Sequence, residues 1–213
     1  MLWWWINLGS YDWGSRSWTK NSGQRSAEKV LDFMIESGVD LNAESAWTPL
    51  DEALYWSNIE IAATLVARGA RIRALSTAAG LGDIVVTSNF FDTNGLQADA
   101  GPIGSPFPDT VGELGDDAAS IIDHAFVMAA NTGCQEAAAL LLEKGARTNS
   151  IPPGYHWKGT ALHAAVWRGD RPIVEWLLAS GADPTIRDGL AHSDALGWAR
   201  HHKHPALVDL LTK

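Results

Sequence analysis

A single cysteine, Cys134, stands in 213 residues. No internal disulfide can form, and a reducing, cytoplasmic setting is expected. Positive charge is scarce too, with 16 Lys and Arg against 25 Asp and Glu, a formal charge of −9. That sign repels phosphate backbones and anionic lipid surfaces, and no Lys/Arg run relieves it, so neither nucleic acid nor a membrane is expected as a partner. Long apolar runs are missing: nowhere do the ~18 uncharged apolar residues of a membrane-spanning helix follow one another. The apolar opening Met1–Ile6 is shorter than the core of a secretory signal and has no cationic flank, so no signal peptide is expected. Enzyme signatures are missing as well. There is no G-x-x-x-x-G-K-[ST], no H-E-x-x-H and no G-x-S-x-G, so neither phosphate-cradling loop, zinc-protease helix nor nucleophile elbow is indicated.

What is present is self-similarity, the mark of a repeat array. ALHAAVWRGD (Ala161–Asp170) matches ALSTAAGLGD (Ala74–Asp83) at Ala, Leu, Ala, Gly and Asp in register, and PLDEALYWSN (Pro49–Asn58) and ALGWARHHKH (Ala195–His204) are looser copies. Each is followed by an apolar run at helical spacing: PIVEWLLASGAD, IVVTSNFFDTNG, IEIAATLVARGA and PALVDLLTK. Small alanines in a first helix let a second helix pack closely behind it, and the second helix buries one apolar stripe. Gly38, Gly69, Gly145 and Gly181 supply the left-handed residues that end each second helix. Thr48-Pro49 reads as a helix start, a cap followed by a residue that needs no donor. Asp183-Pro184 reads as an extended exit.

KGTALHAAVWRGDRPIVEWLLASGADPTIRD (Lys158–Asp188) and AWTPLDEALYWSNIEIAATLVARGARI (Ala46–Ile72) resemble ankyrin repeats. AFVMAANTGCQEAAALLLEKGARTN is similar to them with Val127 in place of the usual histidine, and SDALGWARHHKHPALVDLL resembles a closing repeat. Gly145 and Gly181 lie 36 positions apart and Gly38 and Gly69 lie 31 apart, near the ~33 of that family. IPPGYHWKGTALHAA is similar to bacterial members. The resemblance implies an all-α solenoid of five to six helix-turn-helix repeats in a single domain over 1–213. Repeats fall near 1–45, 46–73, 74–95, 118–150, 158–190 and 191–213, with irregular loops at 10–25 and 92–117. The second loop, Asp92–Asp117, is expected to be ordered and anchored by Ile103 and Phe107. MLWWWINLG aligns with ALHAAVWRG, so the chain is expected to begin inside a first helix.

Ankyrin-like arrays recognise partners through a concave groove of first helices and finger loops. The resemblance puts Trp3, Asp51, Ser76, Val127, His163 and Gly197 in that groove, with Glu52, Tyr55, Trp56 and Trp167 nearby. This mixture of aromatic and acidic groups suits an amphipathic or cationic partner. Candidate acid/base groups are Asp51, Glu52, Asp123, His124 and His163, because stacking sets first helices side by side. Plainer readings stand beside them. The resemblance makes His163 a ligand of neighbouring backbone, and Asp123–His124 suits the start of a helix, where an acid favours the dipole. HHKHP (His201–Pro205) has too few ligands for zinc, and no metal is expected there. Cys134 follows Gly133 at an interhelical turn, where a small turn residue is a plainer reading than a reactive thiol. Arg187–Gly189 reads as a finger tip.

Tryptophan is the excess in the composition, 11 residues. Trp3, Trp4 and Trp5 cannot all face inward on a helix, because successive residues point ~100° apart. Together with Trp47, Trp56, Trp157, Trp167 and Trp198 they either line the concave face or fill gaps between repeats and cover an uncapped end. The expected function is a non-catalytic protein-recognition module. Its contacts would be Trp3, Trp4, Asp51, Tyr55, Trp56, Trp157, His163, Trp167 and Trp198. The alternatives are a small-molecule-binding protein or enzyme, with a tryptophan-rich pocket between groove and long loops, and self-association through the N-terminal end. No cofactor is implied.

Overall fold

The computed structural model describes residues 11–12, 17–18, 29, 31–33, 35–43, 47–101, 103–107, 111 and 114–212. The chain divides into two compact units, Met1–Arg71 and Ile72–Lys213.

In the first unit, β1 (Tyr11–Asp12) and β2 (Ser17–Trp18) pair antiparallel, with Tyr11 opposite Trp18. Helix α1 (Pro49–Tyr55) pairs with α2 (Ile59–Ala67). A capping box starts α1: the Asp51 N–H donates to Thr48 Oγ1 while the Thr48 N–H donates back to the Asp51 carboxylate, and Pro49 occupies the first turn. These contacts satisfy donors that a helix start leaves open. Residues 31–33 and 35–36 are helical and end at Gly38 (φ 87). Asn42 then clasps the following repeat, donating through Nδ2 to the Gly69 carbonyl (2.9 Å) and accepting from the Arg71 N–H (2.8 Å).

The second unit holds four helix pairs. They are α3 (Leu75–Leu81) with α4 (Ile84–Asn89), and α5 (Ala118–Thr132) with α6 (Gln135–Glu143). After them come α7 (Ala161–Arg168) with α8 (Arg171–Ala179), and α9 (Ala195–His201) with α10 (Pro205–Leu211). First helices α3, α5, α7 and α9 pack in succession, so this unit is an all-α solenoid. Alanines 78, 79, 125, 129, 164 and 165 are buried along that row, where a larger side chain would force the helices apart. Leu141, Ile173 and Leu177 are fully buried on the second helices, each contributing about 1.5–3 kcal/mol. The clasp of the first unit recurs: Asn149 donates to the Gly181 carbonyl (3.0 Å) and accepts from the Asp183 N–H (2.8 Å).

The turn inside each pair needs one left-handed residue, supplied by Ser57, Gly82, Gly133, Gly169 and Lys203. At Gly169 a Cβ would also fall 2.6 Å from the His204 ring, so both backbone angle and close approach call for glycine there. Helix α4 lacks the closing glycine that follows α2, α6 and α8 (Gly69, Gly145 and Gly181). It runs instead into a hairpin, β3 (Phe91–Asp92) with β4 (Gly95–Leu96), turning at Thr93-Asn94, with Gly95 at φ 115 pairing opposite Asp92. Beyond it, the Leu75 N–H donates to the Ala100 carbonyl, Ile103 is buried, and half-buried Phe107 meets His156 edge-on at 4.8 Å. No helix among the described residues is long and apolar enough to cross a membrane.

Candidate functional site

Helix α1 turns Glu52 into the first unit, where it is 3% exposed. Trp56 lies four residues on, on the same helix face, and donates its indole N–H to Glu52 Oε1 (2.7 Å), while Trp47 donates to Oε2 (2.6 Å). Tyr55, fully buried, stands edge-on to both indoles, with ring centroids 5.5 and 5.4 Å away. Burial raises the Glu52 carboxyl above its ordinary value. The two indole bonds oppose that rise, and the neighbouring Asp51 charge adds to it. Asp51 itself closes the capping box of α1.

In the second unit α5 starts at Ala118 on the cap Asp117, so Asp123 lies within the helix and not at its start as the sequence suggests. The reason is that Asp117 takes the cap, its carboxylate accepting from the Ser120 N–H. Asp123 is 1% exposed and accepts from the Arg147 N–H and Nε (both 2.7 Å) and Nη2 (2.6 Å). The adjacent His124 bonds the Pro153 carbonyl through Nδ1 (2.9 Å). A carbonyl only accepts, so Nδ1 carries the proton, and Nε2 has no partner among the described residues. The ring stacks on Tyr155 at 4.5 Å, and Tyr155 Oη donates to the His124 carbonyl (2.9 Å). Burial lowers the His124 pKa to about 4, partly offset by the bond to Pro153.

His163 stands three residues after Thr160 and accepts through Nδ1 from the Thr160 N–H (3.2 Å), while Nε2 bonds the Ser193 carbonyl (3.2 Å). Burial lowers its pKa, against the bond to Ser193 and the charges of Asp188 and Asp194. The finger beside it is organised by Asp188. That carboxylate, 1% exposed, accepts from the N–H groups of Leu190 (2.8 Å), Ala191 (2.6 Å) and Ser193 (2.9 Å) and from Trp198 Nε1 (2.9 Å). Burial pushes its pKa up, but the four donors together hold it below the ordinary carboxylate range. An aromatic row runs from Tyr155 through Trp157 (4.6 Å) to Trp167 (6.5 Å).

All five acid/base candidates are thus engaged in internal hydrogen bonds. Of the expected contact residues, Tyr55, Trp157 and His163 are 0%, 6% and 1% exposed, their rings filling the repeats. Trp56, Trp167 and Trp198 are half-buried and Asp51 is partly exposed. Trp3, Trp4 and Trp5, and with them the N-terminal surface invoked for self-association, lie outside the described residues. Among the described residues no group of three or more His, Cys, Asp or Glu is placed to hold a metal ion. The Cys134 thiol points toward the Gly80 carbonyl (3.4 Å), and burial raises its pKa despite Thr132 and Arg168 nearby. Sequence reasoning misses the roles of Tyr155, Arg147 and Asp188. For Asp188 a signal exists, an Asp-Gly step inside a finger, where an Asp side chain commonly bonds backbone two or three residues on.

A family model described as ankyrin repeats, three copies, matches residues 115–188. Ankyrin repeat and SOCS box protein 6 of Mus musculus is 38% identical to this chain over 92 residues, which is 42% of this chain and 22% of that protein. The chain therefore spans about a fifth of that relative's length. The unit spelled in the sequence recurs in the backbone as helix pairs with matching turns and clasps, and the family model falls on α5 to α8. The chain carries ankyrin repeats, matched by the family model over residues 115–188.

Proposed function

We propose that the chain is a non-catalytic protein-recognition module that binds its partner through first helices and finger loops. The observation that carries this reading is the division of labour among its side chains. Asp51, Glu52, Asp123, His124 and His163 cap helices, hold indoles or tie fingers to helices. Apolar side chains meanwhile face outward on the fingers, with Ile151 43% and Leu190 61% exposed, and half-buried Trp167 and Trp198 stand on first helices α7 and α9. Exposed apolar groups beside polar ones and partly buried indoles are the usual anchors of protein interfaces. A single cysteine suits a reducing, cytoplasmic setting.

The test is capture of a partner on the immobilised chain, with cross-links mapped to residues. Replacing Ile151 and Leu190 by Ser and Trp167 by Ala is expected to abolish capture while the circular-dichroism melt stays cooperative. Capture that survives all three changes, or cross-links confined to the second helices, overturns the proposal.

A further inference from the structure

Charge is distributed unevenly over the second unit. Residues 74–143 carry ten Asp and Glu and no Lys or Arg, whereas residues 144–213 carry nine Lys and Arg against six Asp and Glu. Depth sorts the charges of the last two repeats further. Lys158, Arg187, Arg200 and Lys203, on fingers, a first helix and its turn, are exposed. Among the described residues none of these four pairs with a carboxylate. The acids of the same segments are mostly turned to internal use. Asp188 is buried under four donors, Asp194 caps α9 through the Gly197 N–H (2.8 Å), and Asp170 bonds Ile173 N–H and Arg168. Asp183 is exposed, with Oδ1 taken by the N–H and hydroxyl of Thr185.

Backbone geometry adds an independent observation. Four non-glycine residues among the described ones have positive φ; Ser57 and Lys203 serve the turns inside helix pairs, and the other two are Lys158 (φ 50) and His192 (φ 53), both exposed. An L side chain in this conformation is strained and glycine would relieve it. Strain kept at exposed, cationic or protonatable residues is the kind of outlier that clusters at binding sites.

Resting on the recognition reading above, we infer that the first-helix and finger side of residues 153–204 docks an acidic peptide segment of the protein partner. Its carboxylates meet Lys158, Arg187 and Arg200, and its apolar side chains meet Trp167, Trp198 and Leu190. This reverses the cationic partner expected from Asp51 and Glu52, whose carboxylates serve the cap and the indoles. Residues 74–143, which carry no Lys or Arg, offer the same segment no cation and so bias it toward the last repeats, as charge complementarity does at interfaces. Nucleic acid is the weaker occupant. A long polyanion meets the field of the whole chain, formally −9, whereas a short acidic segment engages only the nearby cations.

The experiment is fluorescence anisotropy on the full chain with three labelled probes: a short Glu/Leu peptide, its Lys/Leu counterpart and a short oligothymidylate. The Glu/Leu peptide is expected to bind, more weakly as salt rises, and the Lys/Leu peptide not to bind. Combined Lys158→Glu, Arg187→Glu and Arg200→Glu should weaken the Glu/Leu peptide about tenfold or more, since exposed charges act modestly and must be summed. A second variant, Lys158→Gly, separates binding from folding, because relief of the left-handed strain should raise the melting temperature while affinity falls. Equal binding of both peptides, tighter binding of oligothymidylate, or unchanged affinity in the charge-reversed chain overturns the inference. If charge reversal spares partner capture while the Ile151, Leu190 and Trp167 changes abolish it, recognition stands and the acidic occupant falls. If neither set of changes affects capture, both fall.

Discussion

Glu52 in the first unit and Asp188 in the second are carboxylates of nearly equal exposure, 3% and 1%, and each accepts from tryptophan indoles. Glu52 has two indole donors and an acidic neighbour. Asp188 has one indole and three backbone N–H groups, fixed by the turn that it holds together. The Glu52 pKa is raised and the Asp188 pKa is lowered. Burial pushes both up; at Asp188 the four donors outweigh it, whereas at Glu52 the two indoles do not overcome burial and the Asp51 charge together. The difference also assigns their work: Asp188 is a tie for a finger, and Glu52 is a wedge between two rings.

The largest effect that follows is on Asp188. Its replacement by Ala leaves three backbone N–H groups and an indole without their acceptor. The expected loss is about 2–4 kcal/mol, reduced where the exposed finger lets water replace the carboxylate. Denaturant unfolding followed by circular dichroism measures it. A loss no greater than that of an ordinary surface change would break the comparison, since Asp188 would then hold nothing.

Acidity separates the two sites by sign. Glu52 keeps its proton in the folded chain at pH values where the unfolded chain, at about the ordinary 4.5, has released it. Its contribution is therefore complete below that value and is lost as pH rises through the raised one. Asp188 contributes in full above its ordinary 3.8, and that stability is lost as pH falls through the lowered value. His124 acts on the same side as Asp188. With a folded pKa of about 4 against 6.5, it contributes above 6.5 and loses on the order of 3 kcal/mol as pH falls toward 4. Unfolding between pH 4 and 7 should show an acid-side loss that His124→Gln flattens. The wild type should lose stability relative to Glu52→Gln as pH rises past Glu52's raised value. A flat difference between those two chains would mean that Glu52 titrates as an ordinary carboxyl.

Helix pairs and their turns are legible in the sequence because each follows from local chemistry: Thr48-Pro49 before a helix, Gly181 after one, alanines where helices must approach. The hairpin after α4 is hidden because IVVTSNFFDTNG has helical spacing, although the turn Thr93-Asn94 followed by Gly95 at φ 115 is a hairpin signature. Depth is less legible than face. Helical phase sets Tyr55 and Trp157 on their elements, but only packing against other residues decides that they are buried while Trp56 and Trp167 keep an exposed edge. Total charge conceals the contrast between residues 74–143 and 144–213, because a sum of −9 has no address. The engagement of Asp123 by Arg147 spans 24 positions, beyond what any local pattern encodes.

The smallest effect sharpens the comparison most. Trp56→Phe removes one of two donors from Glu52, and Trp198→Phe removes one of four from Asp188. Each keeps an aromatic ring and loses a hydrogen bond to a charged group, for about 1–2 kcal/mol at Glu52 and less at Asp188, where three donors remain. Carboxyl carbon resonances report the two titrations directly. Glu52 should titrate at still higher pH in Trp56→Phe, whereas Asp188 should stay below the ordinary carboxylate range in Trp198→Phe. Equal upward shifts in the two variants would make the indole the controlling donor at both sites, and the three backbone N–H groups of the finger would lose their role in setting the charge of Asp188.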